Sequence, residues 1–119
     1  MSEPFSPVHI EESIRKCANR IANSVRVCAD AYANFLEADR NYDWAYARAY
    51  GRADCAAHER KYIAELATTQ ERTARDDADV VYRHADRKAK ALEAELRAWQ
   101  SVGASVRMMY GVAGRGEGA

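Results

Sequence analysis

Large aliphatic side chains are scarce in this sequence, which has only four leucines among 119 residues. Alanine is the commonest apolar residue, and aromatic side chains, chiefly seven tyrosines and two tryptophans, supply much of the bulk. Such a composition does not suit a β-sheet or a thick globular core. It favours helices that pack at short distance, because alanine has a high helix propensity and lets two backbones approach closely.

The sequence also has no excess of positive or negative charge, since 18 Lys and Arg residues balance 18 Asp and Glu residues. A zero net charge gives no general attraction to nucleic acid or to anionic membranes. No apolar run approaches the ~20 residues that span a bilayer, and residues 1–7 lack the basic and apolar regions of a signal peptide. We therefore expect a cytoplasmic protein with no membrane partner.

Signatures of metal binding and catalysis are also lacking. Cys55 and His58 are the one Cys/His pair with helix-ligand spacing, whereas a structural zinc site needs four ligands. The crowded carboxylates Asp76, Asp77 and Asp79 lie among arginines, as in a solvated face of weak ion pairs. There is no nucleophile elbow and no phosphate-binding glycine loop. We expect no metal, no cofactor and no catalytic residue, so the chain is predicted not to be an enzyme.

The first predicted helix covers residues 7–51 and follows an N-terminal arm of residues 1–6. Ser6 can cap this helix, and Pro7 suits its first position because the proline ring fixes a helical φ. Gly51 is a natural stop at the carboxyl end.

Three heptad rows follow this helix and together predict a broad apolar stripe. The row of large residues is Ile14, Ile21, Cys28, Phe35 and Tyr42. The row of small residues is Cys17, Ser24, Ala31, Ala38 and Ala45. The third row is Ala18, Val25, Tyr32, Asp39 and Tyr46. The small row predicts an unusually close contact with another helix.

The second predicted helix covers residues 55–111, with Asp54 as its cap. Its apolar periodicity lapses after Leu66, where Thr68 and Glu71 are spaced as a capping box. Three outcomes stay open near residues 68–77: a kink, the start of a third helix, or one continuous helix with a solvated face.

Apolar periodicity returns at Val80 and predicts the core stripe of the second long helix. The residues of that stripe are Leu92, Leu96, Trp99 and Val106. Gly111 can end the helix, and residues 112–119 form a glycine-rich tail that we expect to be flexible.

These elements predict an all-α fold, in which a short turn joins two long helices into an antiparallel hairpin. Residues 7–111 would form a single helical domain. Each apolar stripe is wider than one partner helix can cover. We therefore expect the chain to pair with itself as a dimer or a higher-order helical bundle.

A basic cluster on the second long helix is the candidate contact for nucleic acid. Its members are Arg83, Arg87, Lys88 and Lys90. Such a cluster can contact phosphates. Acidic residues interleave with it, however, and pairs such as Asp86 with Lys90 can neutralise it. We favour a solvated face, with nucleic-acid binding as the alternative.

An aromatic run near the end of the first helix is the candidate contact for a protein partner. Its members are Tyr42, Trp44, Tyr46 and Tyr50. Tyr42 and Tyr46 lie on the apolar stripe, whereas Trp44 points away from it. Trp44 is the strongest candidate for a binding hot spot, since tryptophan is enriched at such positions, and Tyr50 is a second candidate. A base-stacking platform is the alternative use of these rings.

Residues 55–115 resemble a family of small helical proteins encoded by tailed bacteriophages of actinobacteria. The segments that carry the resemblance are residues 59–61 (ERK), 64–68 (AELAT), 100–102 (QSV), 104–107 (ASVR) and 113–115 (AGR), with Leu92 and Leu96. Trp99 and Met108 depart from the Leu and acidic residues of the family pattern. The resemblance implies a phage gene near replication or recombination functions and a location in the bacterial host's cytoplasm, and it supplies no catalytic residue.

We therefore expect an oligomeric helical adaptor, or an inhibitor, that binds a phage or host protein of DNA metabolism or host defence. One alternative is direct nucleic-acid binding in recombination or replication, in which affinity would fall steeply with salt. Another is a bundle that sequesters a small anion such as a nucleotide.

Overall fold

The protein is all-α, as predicted. The structure, a computed structural model, describes residues 6–117, with side chains described for residues 6–111. It contains three helices and, within the described residues, no strand: α1 (Pro7–Arg52), α2 (Ala57–Ala67) and α3 (Thr69–Glu117). The long helices α1 and α3 pack against each other as a hairpin.

The ends of α1 test the predicted start and stop signals. The Ser6 hydroxyl oxygen accepts a hydrogen bond from the His9 backbone N–H at 3.3 Å, which confirms the cap. At the other end, Gly51 lies inside the helix, which continues to Arg52. No described glycine has a positive φ, so Gly51 is not the left-handed stop that the sequence suggested.

The start of the second helix was predicted wrongly. It begins at Ala57 rather than at Cys55, and its N-cap residue is Ala56, not Asp54. No side chain caps this end. An alanine cap leaves the first N–H groups to solvent, and this lowers the intrinsic stability of so short a helix.

Of the three outcomes left open near residues 68–77, the structure shows the start of a third helix. A single residue separates this helix from the one before it. Thr68 separates α2 from α3. Its hydroxyl donates to the Ala64 carbonyl at 2.7 Å, and its backbone N–H donates to the Glu65 carbonyl rather than to the Glu71 carboxylate, so the predicted capping box with Glu71 is wrong. A threonine that bonds to the carbonyl four residues earlier bends its helix.

The far end of α3 also differs from the prediction. The helix passes through Gly111 and ends at Glu117, so residues 112–117, which were assigned to a flexible tail, are helical. Residues 118–119 and the predicted arm at residues 1–5 lie outside the described part of the chain.

Contacts divide the chain into two units, although α1 and α3 each run through both. The first unit combines α1 up to Arg26 with α3 from Arg87 onward, and the second is Val27–Asp86. The prediction of a single helical domain did not anticipate this division.

Small residues bring α1 and α3 close together in the first unit. The Cys17 thiol donates to the Leu92 carbonyl at 3.2 Å. A Cβ atom added to Gly103 would lie 3.2 Å from Cγ2 of Ile10, closer than an ordinary van der Waals contact. The rings of His9 and Trp99 meet edge to face at 5.9 Å. The two helices pair antiparallel, because contacts that lie later in the sequence of α1 involve residues that lie earlier in the sequence of α3.

In the second unit, α1 again pairs antiparallel with α3. The rings of Tyr32 and Tyr82 lie 5.1 Å apart. Farther along, the Arg75 guanidinium lies 4.4 Å above the Tyr42 ring. These ring contacts come from large, partly exposed side chains. The buried residues of this unit are all small, namely Ala31, Ala53, Ala64, Thr68 and Ala85.

The core is built mainly from small side chains. Its buried apolar members in the described chain are Ile10, Cys17, Ala31, Ala53, Ala64, Ala85, Leu92 and Val106. The predicted row of large residues is only half-buried: Ile14, Ile21, Cys28, Phe35 and Tyr42, with Leu96 and Trp99 of α3. Three members of the small row are buried instead, namely Cys17, Ser24 and Ala31. The large side chains of the first row lie beside the buried small row, and they stay partly exposed to solvent.

Candidate interaction site

Trp44, the predicted hot spot, is on the surface of the second unit. Its exposed fraction is 72%, and that of Tyr50 is 38%. An exposed indole presents a large apolar face to solvent, and burying that face on binding is favourable. The position of Trp44 suits the predicted role, which stays a prediction.

The tyrosines of the aromatic run lie one turn apart along α1, with their rings tilted against each other. The ring centroids of Tyr42 and Tyr46 lie 6.1 Å apart, and those of Tyr46 and Tyr50 lie 6.3 Å apart. Arg75 covers a face of Tyr42. Arg75 therefore occupies a ring face of Tyr42 that a stacked base would need.

The predicted basic cluster is exposed but partly neutralised. Arg83 forms an ion pair with Asp79 at 3.0 Å. Arg87 and Lys88 are exposed, and Lys90 is also engaged in an interaction. The acidic cluster is similar, since Asp76 pairs with Arg75 at 3.3 Å. Exposed pairs of this kind are weak and screened by salt.

Groups that could hold a metal do not come together in the described chain. No cluster of three or more His, Cys, Asp or Glu side chains occurs there. The Cys17 thiol is also poorly suited to nucleophilic chemistry, because the thiolate is the reactive form. Burial raises the pKa of this thiol, and the nearby Glu95 carboxylate raises it further, against the opposing effect of Arg20.

The clearest apolar surface was missed by the sequence analysis, and it lies on α2. Tyr62, Ile63 and Leu66 are 56%, 41% and 79% exposed, and Ala64 is the one buried residue of this helix. Their spacing places them on one side of α2. We call these three side chains the α2 stripe. Their periodicity is the same as that of core residues, so the sequence alone does not distinguish an exposed stripe from a buried one.

A cleft of about 410 Å³ lies beside the α2 stripe, within the second unit. Its apolar lining consists of Ala45, Ala49, Ala53, Ile63 and Ala67. Ile63 belongs to both surfaces. The cleft exists because alanines line α1 where the chain turns into α2, leaving space that larger residues would fill.

Three charged residues line the same cleft. Arg48 and Arg52 are one helical turn apart on α1, and Glu71 lies at the start of α3. Oε2 of Glu71 is buried and has no hydrogen-bond partner in the structure. The sequence did not indicate that these three residues are neighbours, and Glu71 was predicted only as part of a capping box. The break at Thr68 and the turn after α1 bring the three residues to one cleft.

Comparison with protein-family models, curated proteins and solved structures finds no match to this chain. None of the described helices has the length and apolar character that a membrane span needs.

Proposed function

We propose that this protein is a non-enzymatic helical adaptor that binds a partner protein through the α2 stripe. The supporting observation is the exposure of Tyr62, Ile63 and Leu66 on a helix that buries a single alanine. Exposed apolar residues grouped in this way are typical of interaction sites. The phage resemblance adds the expectation that the partner acts in DNA metabolism or host defence.

The chemistry of α2 suits recognition by helix-in-groove contact. In that mode, apolar side chains spaced three or four residues apart insert into a groove of the partner. Tyr62 and Leu66 are four residues apart on the stripe, and Tyr62 supplies the aromatic surface found at hot spots. Trp44 and Tyr50, in the same unit, are proposed as further contacts.

The tagged wild-type chain is expected to enrich one host or phage protein from lysate, with or without nuclease treatment. Leu66→Glu should abolish the enrichment, because a carboxylate cannot enter an apolar groove without a large desolvation cost. Met108→Glu is the matched control, since Met108 is 71% exposed on α3 and receives the same new side chain. Mass spectrometry measures the enrichment.

Two results would contradict the adaptor proposal. Equal recovery with Leu66→Glu would exclude the α2 stripe as the binding surface. Loss of all recovered protein after nuclease treatment would favour nucleic-acid binding through Arg83, Arg87, Lys88 and Lys90 instead.

We also propose that the adaptor pairs with a second copy of itself. Among the described residues, 14 large apolar side chains are exposed, whereas three are buried (Ile10, Leu92 and Val106). Val25 and Tyr32 of the third heptad row are among the exposed ones. So small a core supplies little hydrophobic stabilisation by itself.

Light scattering of the purified chain at micromolar concentration is expected to give at least twice the mass of 13.3 kDa. Val25→Glu should yield the monomer, since Val25 is 67% exposed and lies on the face of α1 proposed to pair. A wild-type mass of one chain across the micromolar range would contradict self-association.

A further inference from the structure

The line of α1 residues next to its buried small row is apolar but exposed. Its members recur every three or four residues along the helix: Ala18, Ala22, Val25, Ala29, Tyr32 and Leu36. The first five are exposed and Leu36 is half-buried, although the Tyr32 ring also touches Tyr82 of α3. Because α1 is one continuous helix, this spacing places the six side chains on one line along its surface. We call these six residues the α1 face.

The α1 face is self-complementary in side-chain size. When two copies of the helix pair antiparallel about residue 27, positions equally far from residue 27 face each other. The three facing pairs each join a smaller side chain to a larger one: Ala18 with Leu36, Ala22 with Tyr32, and Ala29 with Val25. Such alternation of small and large side chains fills the contact between two helices.

The charges of α1 are self-complementary in the same arrangement. Residues 15–26 include four basic residues and no acidic one, whereas residues 30–43 include four acidic residues and one basic one. Antiparallel pairing about residue 27 brings the basic half of one copy beside the acidic half of the other, and two-fold symmetry repeats that contact. Parallel pairing would instead align the two basic halves and the two acidic halves.

Two pairs of opposite charge lie just beyond the apolar part of the α1 face. Arg15 and Asp39 are equally far from residue 27 and would therefore face each other. Glu12 and Arg40 occupy nearly matching positions along the adjacent edge of the face. Asp39 is half-buried and the other three are exposed, and none of the four forms an ion pair within the described residues. All four are therefore available to a second chain.

One pair of like charge also results, since Glu11 would face Asp43 at each end of the contact. Both carboxylates are exposed. Each lies one helical turn from an arginine of its own chain, Arg15 for Glu11 and Arg40 for Asp43. Solvent and these arginines screen the repulsion, so the opposite charges decide the arrangement.

We propose that the α1 face packs antiparallel against the α1 face of a second copy, with residue 27 at the centre and Arg15 paired with Asp39 across the contact. The match of size and charge to the reversed sequence of α1 itself favours a second copy as the occupant, because a two-fold interface requires self-complementarity. This register rests on the proposed self-association and adds its orientation and its contacts.

Charge reversal at position 15 tests the register, with the dissociation constant of the dimer measured by sedimentation equilibrium at low ionic strength, where exposed charges are least screened. Arg15→Glu should weaken the dimer by about tenfold, because it removes two symmetry-related attractions and adds two repulsions. Lys16→Glu is the matched control. Lys16 is exposed and lies on the side of α1 away from the α1 face, so its reversal should change the constant by less than about twofold.

Reversal of both partners should restore pairing. Arg15→Glu combined with Asp39→Arg is expected to dimerise within about threefold of the wild type, because each pair keeps opposite charges. Glu12→Arg combined with Arg40→Glu is a second swap at exposed positions, which keeps the test valid if position 39 does not accept arginine. The melting temperature of each variant shows that it folds.

Two results would overturn the register while leaving self-association intact. The first is a dimeric wild type that Arg15→Glu weakens no more than Lys16→Glu does. The second is a dimer that Arg15→Glu weakens and that neither swap restores relative to its single variants. A wild type that stays monomeric would contradict self-association itself, and the register with it.

Discussion

Leu92→Ala is expected to lower the free energy of unfolding by about 3 kcal/mol, within the usual range for a buried leucine. Leu92 is 4% exposed, and its carbonyl accepts the hydrogen bond of Cys17 across the helix pair. Removing its side chain leaves a cavity beside residues that are too small to fill it. Because large buried side chains are few, one truncation removes a substantial part of the core.

The matched variant is Leu66→Ala, which makes the same chemical change at a position that is 79% exposed. It should change the free energy of unfolding by less than about 0.5 kcal/mol. Urea denaturation followed by circular dichroism measures both variants. Equal losses would contradict the assignment of Leu92 to the core and of Leu66 to the surface.

Gly103→Leu is expected to destabilise the protein by about 1–3 kcal/mol, because overpacking forces neighbours from their rotamers. A Cβ atom at this position already lies 3.2 Å from Cγ2 of Ile10 and 3.9 Å from Cδ1 of Ile14. Ile10 is 2% exposed and so has little room to move.

Gly51→Ala is the control for the intrinsic helix preference of glycine. Gly51 is also helical, but an added Cβ atom meets nothing within 4 Å. We expect this variant to stabilise the chain by about 0.5–1 kcal/mol. Thermal unfolding measures the pair, and a stable Gly103→Leu variant would show that the helices do not approach as closely as described.

The long helices were predictable because their signal is repeated many times. Heptad spacing recurs along both α1 and α3, and the row containing Cys17, Ser24 and Ala31 indicated the side of closest approach. The Ser6 cap was also predictable, because its hydrogen bond to the His9 N–H spans three residues.

Other local signals failed where several local structures compete. Thr68 had a cap's spacing to Glu71, yet its hydroxyl bonds to Ala64 in the preceding turn. Gly111 permits a helix end without requiring one, and α3 continues through it. A residue that is compatible with two local structures cannot specify which one forms.

The candidate site depended on tertiary placement, which periodicity does not encode. Tyr62, Ile63 and Leu66 have core spacing, yet the chain packs Ala64 inward and leaves those three exposed. The cleft with Arg48, Arg52 and Glu71 forms from α1, α2 and the start of α3, which are joined through the turn and the Thr68 break. Only the folded chain shows that these residues are neighbours.

The row of buried small residues also determines which substitutions the protein can accept. In most cores, the substitutions that destabilise the protein most remove side-chain volume, and substitutions between side chains of similar volume are tolerated best. At Cys17, Ser24 and Ala31 the tolerated side-chain volume has an upper limit, since these positions are buried and a larger side chain would push the helices apart. Homologous chains that keep this pairing should therefore vary freely in polarity at these positions while remaining confined to Gly, Ala, Ser and Cys.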